Sequence, residues 1–171
     1  MLAKVIENAD GPFVVQEELL ILEADSKRNK VRVILNKDGE GRWRRSLSYA
    51  YVGKAGQFAV SRHQGAEQMP LYRGLATMGV RGCAAKLISH RIAKVALLVV
   101  KCLDQAKGPL GEIGLDLAVG ERGRVWLIEA NARPNKDNLP FTRKATLLRP
   151  FLLMMQYAKY LAQQPAGRCD N

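Results

Sequence analysis

The chain of 171 residues is poor in the side chains that several site classes need. It has two histidines, His63 and His90, too little material for a His-rich metal centre or a Ser–His–Asp triad. Its three cysteines, Cys83, Cys102 and Cys169, are odd in number and lack metal-ligand spacing, so they read as ordinary thiols in a reducing compartment. No apolar run approaches the roughly 18 residues of a membrane helix. The longest, VALLVV at 95–100, lies between Lys94 and Lys101. The opening MLAKVIENADGPF lacks the basic start and apolar middle of a secretory signal, so the expected location is cytoplasmic, with no membrane partner. Negative charge is scarce as well: 16 Asp and Glu stand against 27 Lys and Arg, a net charge of +11. Such an excess draws polyanions through its long-range field, and it equally serves solubility. The densest basic groups are Lys27-Arg28-Asn29-Lys30 and Arg42-Trp43-Arg44-Arg45.

What is present suits one globular domain over residues 1–171, with frayed ends at 1–10 and 165–171. Hydrophobic content of 47% and charged content of 25% are ordinary for such a domain. Residues 13–22, FVVQEELLIL, have strand composition, and 31–36, VRVILN, form a second strand. Residues 37–41 carry the Asp-Gly hairpin signal. A third strand spans 42–52, with Trp43, Leu47, Tyr49 and Tyr51 at odd positions. A turn at 53–56 leads to a short fourth strand at 57–61. Residues 62–80 read as irregular, with Gly65, Pro70, Gly74 and Gly79 as breakers. A helix follows over 84–105, its core stripe drawn by Leu87, Ile88, Arg91, Val95, Leu98 and Cys102. A last helix covers 148–163, with Phe151, Leu152, Met155, Tyr157 and Tyr160. Strands first, then helix, hairpin and helix, predict an α+β fold: an antiparallel sheet with two main helices packed on it.

The hairpin at 111–135, GEIGLDLAVGERGRVWLIEANARPN, carries the chemistry. A short turn at 120–123 would set Leu117 against Trp126 and Leu115 against Ile128. One face then holds Ile113, Leu115, Leu117, Val119, Trp126, Ile128 and Ala130, a core face. The other holds Glu112, Gly114, Asp116, Ala118, Val125, Leu127, Glu129 and Asn131. In this register Asp116 and Glu129 are diagonal neighbours, roughly 7–8 Å apart at the backbone. Glu129 and Asn131 lie about 6.6 Å apart along one strand. Carboxylates held this close raise each other's pKa unless a cation sits between them. Carboxylate and amide oxygens suit a hard cation such as Mg²⁺, which fills its other positions with water and phosphate. The alternative is a solvated edge, where Asp and Glu are ordinary.

At 111–134 the sequence resembles the metal-binding end of ATP-grasp proteins: an Asp on one strand, then Glu-x-Asn on the next. The fuller wording, Gly-Glu-x-Gly-x-Asp followed by Trp-Leu-Ile-Glu-x-Asn-x-x-Pro, is similar to the YheC/YheD branch, named for endospore coat association. FVVQEELLIL resembles the hinge strand that holds adenine, and VRVILNKDGEGRW the Arg-bearing strand and hairpin after it. YVGKAGQFAVSRHQGA resembles the approach to a glycine-containing loop, and LLMMQYAKYLA the closing helix. The resemblance covers nearly the whole chain but only the C-terminal part of a family member. The lid half, with its phosphate-covering loop and lysine, would precede residue 1.

The resemblance implies that Asp116, Glu129 and Asn131 hold Mg²⁺ (or Mn²⁺) bridging ATP phosphates. It implies that Arg32 acts catalytically at a phosphate or acyl-phosphate. Gln16, Glu17, Glu18 and Leu19 would line the adenine edge. Apart from the resemblance, Arg133 and Lys136 stand beside Asn131, placed either to approach phosphate or to offset the local acids. The implied activity is ATP-dependent carboxylate–amine ligation, with a lid-supplying protein or a second copy as partner. The family commonly has Asp where Lys30 stands, Arg at Tyr51, Asn at Ser61 and a second Gly at Ala66. Two further readings stay open: a non-catalytic relative acting as a binding or structural module, and a charge-driven binder of nucleic acid or another anionic polymer. In the last, Arg42, Arg44 and Arg45 would pair phosphates beside a stacking Trp43.

Overall fold

The computed structural model describes residues 17–58, 60–135 and 144–164. Five antiparallel strands form one sheet: β1 (Asn29–Lys37), β2 (Trp43–Val52), β3 (Glu67–Pro70), β4 (Glu112–Val119) and β5 (Val125–Asn131). Their spatial order is β3-β2-β1-β4-β5. Three helices complete the described chain: α1 (Leu71–Thr77), α2 (Gly82–Lys107) and α3 (Lys144–Gln163). This is the α+β architecture expected from the order of strands and helices.

β1 is the central strand, and its near-continuous apolar run reflects burial on both faces. Val31, Val33 and Leu35 are fully buried toward α1 and α2. Ile34 is fully buried on the opposite face beside Leu47, Tyr49 and Tyr51. α2 presents Ala85, Ile88, Ser89, Ile92, Ala96 and Val100 to the sheet, at the three-to-four spacing of a buried stripe. The expected stripe is therefore rotated: Ile88 belongs to it and Val95 packs half-buried against the core, whereas Leu87, Leu98 and Cys102 are exposed. Small residues at 85, 89 and 96 let the helix lie close to the strands, while Leu97 and Leu103 pack at its flanks and Leu87 and Leu98 face away. Arg91 serves the hairpin instead, its Nη1 donating to the carbonyls of Arg122 and Gly123 at 3.0 and 3.3 Å.

Three elements differ from the sequence reading. The described residues of 57–61 form no strand; a short strand lies instead at Glu67–Pro70, followed at once by α1, both inside the stretch expected to be irregular. Four residues are too few for alternation to register, and the breakers there punctuate real elements. Gly74 is one such case: a Cβ on it would meet the Ala50 Cβ at 2.2 Å, so α1 seats on β2 only through glycine. Residues 17–22 form no strand. They run past the end of β4, with an isolated bridge from Ile21 to Gly120 and Leu22 N–H donating to the Val119 carbonyl at 2.7 Å. α3 begins at Lys144, with Pro150 inside it, and turns Leu153 and Tyr157 inward while Phe151, Leu152 and Met155 stay exposed. Gln16, Lys136, Pro140, Cys169 and both expected frayed ends lie outside the described residues.

Two β-bulges decide which side chains share a face. In β2, Ile34 pairs with Leu47 but Leu35 with Arg45, leaving Ser46 as the extra residue. Trp43 therefore lies on the helix side, packed against the main core, while Leu47, Tyr49 and Tyr51 lie on the other. In β5 the shift falls between Asp116 and Leu117, whose partners are Glu129 and Leu127, with Ile128 extra.

Candidate functional site

The second bulge corrects the expected hairpin register. The loop runs one residue longer than a tight turn, with Arg122 in the left-handed region at φ 56°. Leu117 faces Leu127 and Leu115 faces Ala130. Asp116 stands directly opposite Glu129, and Gly114 opposite Asn131. Trp126 pairs with Ala118 and so joins the face of Asp116, not the core face. Ile128 and Leu127 remain 42% and 44% exposed. A bulge has no period of its own, so alternation alone could not reveal this exchange.

Cross-strand pairing now writes a row across the sheet: Tyr49 on β2, Arg32 on β1, Asp116 on β4 and Glu129 on β5. Asp116 is almost completely buried, at 1% exposure. Arg32 grips it in a two-pronged pair, Nε to Oδ1 and Nη2 to Oδ2, the latter at 2.9 Å. Lys30, two residues before Arg32 on the same face, donates Nζ to Oδ2 at 2.8 Å. Burial works to raise the Asp116 pKa, but the hydrogen bonds and charges of Arg32 and Lys30 outweigh it and hold the carboxyl below its usual range. Tyr49 and Tyr51 meet edge to face beside them, with ring centroids 5.4 Å apart. Burial and the Tyr51 hydroxyl push the Tyr49 hydroxyl well above an ordinary tyrosine. The Tyr51 hydroxyl in turn accepts from Gln68 Nε2 at 3.0 Å.

Next to this row opens a cavity of about 510 Å³. Glu17, Glu18 and Leu19 line one wall, so three of the four expected adenine-edge residues come together there. Lys30, Ala118 and Ile128 form the sheet-side floor, and Arg28 and Phe58 a further wall, with the Arg28 guanidinium 4.3 Å from the Phe58 ring centroid. Lys30 thus joins the cavity to the Asp116 row. Trp126 lines an adjoining cavity of about 290 Å³ with Leu19 and Leu20. Sequence reasoning named Lys30 only within a basic group and as a departure from the family, set Ile128 on the core face, and passed over Phe58. Lys30 had a signal, since it shares a strand face with Arg32 at period two. Phe58 had none.

Glu129 and Asn131 share the Asp116 face of β5, and Glu129 is exposed. Their oxygen donors suit Mg²⁺ or Mn²⁺, which needs few protein ligands when phosphate supplies the rest. Asp116 is turned to its two cations, and among the described residues no three His, Cys, Asp or Glu gather as a metal group. Arg133 is exposed beyond the end of β5. The basic patch on β2 is largely spent within the molecule. Arg44 pairs with Asp38 at 2.7 Å, Arg42 with Asp38 and Glu40, and Trp43 Nε1 donates to Asp104 at 3.2 Å. His63 and His90 are exposed. No helix among the described residues is long and apolar enough to cross a membrane.

A sequence profile of YheC/D like ATP-grasp proteins matches residues 1–161. The chain belongs to the YheC/D-like ATP-grasp family. It is 27% identical over 158 residues to endospore coat-associated protein YheD of Bacillus subtilis (strain 168), across 89% of this chain and 33% of YheD. A shorter stretch of 37 residues is 38% identical to endospore coat-associated protein YheC of the same organism, covering 22% of this chain and 10% of YheC. Among solved structures, N5-carboxyaminoimidazole ribonucleotide synthetase from Thermotoga maritima aligns over 90% of this chain and 34% of its own, with a TM-score of 0.43 and 12% identity. This ATP-grasp chain therefore spans about a third of the length of YheD.

Proposed function

We propose that this chain is the nucleotide-holding part of an ATP-dependent carboxylate–amine ligase, binding Mg-ATP in the cytoplasm, with a spore association like the one that the names of YheD and YheC state for those proteins. The observation that carries the reading is Lys30, which lines the 510 Å³ cavity and donates to Asp116, the residue that Arg32 also grips and that stands opposite Glu129. The apolar part of its lining, Leu19, Ile21, Phe58, Val60, Ala118 and Ile128, suits a base, and the positive charge of Lys30 suits phosphate. Glu17, Glu18 and Leu19 would meet the adenine edge. Arg32, fixed by its two-pronged bond to Asp116, would hold its remaining N–H groups toward a phosphoryl oxygen without reorganising. Glu129 and Asn131 would hold the magnesium, which neutralises phosphate charge when bound. Phe58, on the cavity wall at 69% exposure, leaves that side open, so a lid from another segment or a second copy would complete it.

Calorimetric titration of Mg-ATP into the chain and its Glu129→Gln variant tests this reading. Saturable binding by the wild type, weakened at least about tenfold in the variant, supports it. A folded wild-type chain that takes up no Mg-ATP overturns it and turns attention to anionic polymers and protein partners.

A further inference from the structure

The Asp116 carboxylate has about four acceptor directions, and three are already used. Arg32 takes one on Oδ1 and one on Oδ2, and Lys30 takes another on Oδ2 at 2.8 Å. The side chain is 1% exposed, so the remaining direction is closed to a hydrated ion. Lys30 itself is held from a second side, its Nζ 5.2 Å from the Tyr51 ring centroid. With Lys30 present, the charges of Lys30, Arg32, Asp116 and Glu129 cancel. Without it, the same group would be one unit negative and would attract a divalent ion.

We propose that the Lys30 ammonium is a tethered cation standing where a divalent ion would otherwise bind Asp116. Metal binding is then confined to Glu129 and Asn131, and Lys30 with Arg32 supplies phosphate directly with the positive charge that a metal on Asp116 would have brought. Asp116 is a positioning residue that aims two cations. The proposal deepens the nucleotide reading above, but its metal half stands without a nucleotide.

The test titrates Mn²⁺ alone, read by the electron paramagnetic resonance of the free ion, into wild type, Lys30→Met, Lys30→Arg and Glu129→Gln. Lys30 is part-exposed, so its neutral variant keeps the fold, checked by circular dichroism. Lys30→Met should tighten Mn²⁺ roughly tenfold or more, because a like charge has left the site. Lys30→Arg should keep the weak wild-type affinity, and Glu129→Gln should lower it further. In parallel, inorganic tripolyphosphate in EDTA should bind wild type and lose roughly tenfold in Lys30→Met, the size of one charge-assisted hydrogen bond. Equal Mn²⁺ affinity in wild type and Lys30→Met overturns the proposal, as does tripolyphosphate binding indifferent to Lys30. If the Mn²⁺ gain appears but ATP does not bind, the nucleotide reading falls and the tethered cation stands.

Discussion

Pro134 lies over Gly114: a Cβ on Gly114 would stand 2.5 Å from the Pro134 Cβ and 3.6 Å from the Arg32 Cδ. Gly114 is also the cross-strand partner of Asn131. The glycine therefore lets the chain beyond β5 fold back over β4 and sets where Asn131 and the Arg32 stem lie. Gly114→Ala should cost about 1–3 kcal/mol by overpacking. It should also weaken Mg-ATP binding beyond what lost stability explains. Denaturant unfolding and calorimetry on the same preparation separate the two effects.

Asp104 joins the end of α2 to the sheet. It accepts from Lys37 Nζ at 3.0 Å, from Trp43 Nε1 at 3.2 Å and from the Leu110 N–H at 2.8 Å. Burial acts to raise its pKa, but these donors and the Lys37 charge hold it below its ordinary value. A carboxylate with a depressed folded-state pKa contributes stability that is fully present above its unfolded value of about 3.9 and is lost as pH falls through the folded one. Wild type should thus lose stability as pH drops below about 4, and Asp104→Asn should show a shallower loss over that window from a lower starting level. Urea unfolding from pH 7 to pH 3 measures both slopes.

The helix stripe can be read by two alanine substitutions on neighbouring turns of α2. Ile92 is fully buried and Leu87 is 52% exposed. Ile92→Ala should cost about 2–5 kcal/mol through lost burial and the cavity left behind. Leu87→Ala should stay within about 0.5 kcal/mol of wild type. Equal costs in thermal or chemical unfolding would restore the stripe through Leu87.

The two tryptophans lie on opposite faces of the sheet, which makes them separate reporters. Trp126 borders the cavities at residues 17–20, and Trp43 packs in the core with its indole bound to Asp104. Mg-ATP should change the emission of wild type and of Trp43→Phe, and leave that of Trp126→Phe nearly constant. A signal carried by Trp43 would place the ligand elsewhere.

Much of this arrangement can be read from residue order. VRVILN announces a strand, and the Asp-Gly turn fixes its hairpin partner. Glu129 and Asn131 share a face by alternation, and the hairpin brings Asp116 to that face. What alternation could not supply was the parity change at Ser46 and Ile128, which sends Trp43 to the helices and Trp126 to the site face. Nor could it show that Lys30 would reach Asp116, since that contact joins residues 86 apart in the chain. The α2 stripe was misplaced for another reason. The helix has apolar residues on more than one face, and burial went to the side with small residues at 85, 89 and 96.

The extra residues at 46 and 128 bear on what kinds of change this protein can survive. Removing either would leave the pairs on both sides in place: Leu35–Arg45 and Ile34–Leu47, or Leu117–Leu127 and Asp116–Glu129, would then follow one another as a regular ladder. A residue added or lost elsewhere within these strands would instead turn over the rest of the strand. The two points differ in what holds them. Ser46 is buried and its hydroxyl bonds the Ile34 carbonyl and Asn36 Oδ1, whereas Ile128 is 42% exposed. Homologous sequences should accordingly tolerate a one-residue gap or a changed letter at 128 more readily than at 46, and their other gaps should fall in the loops.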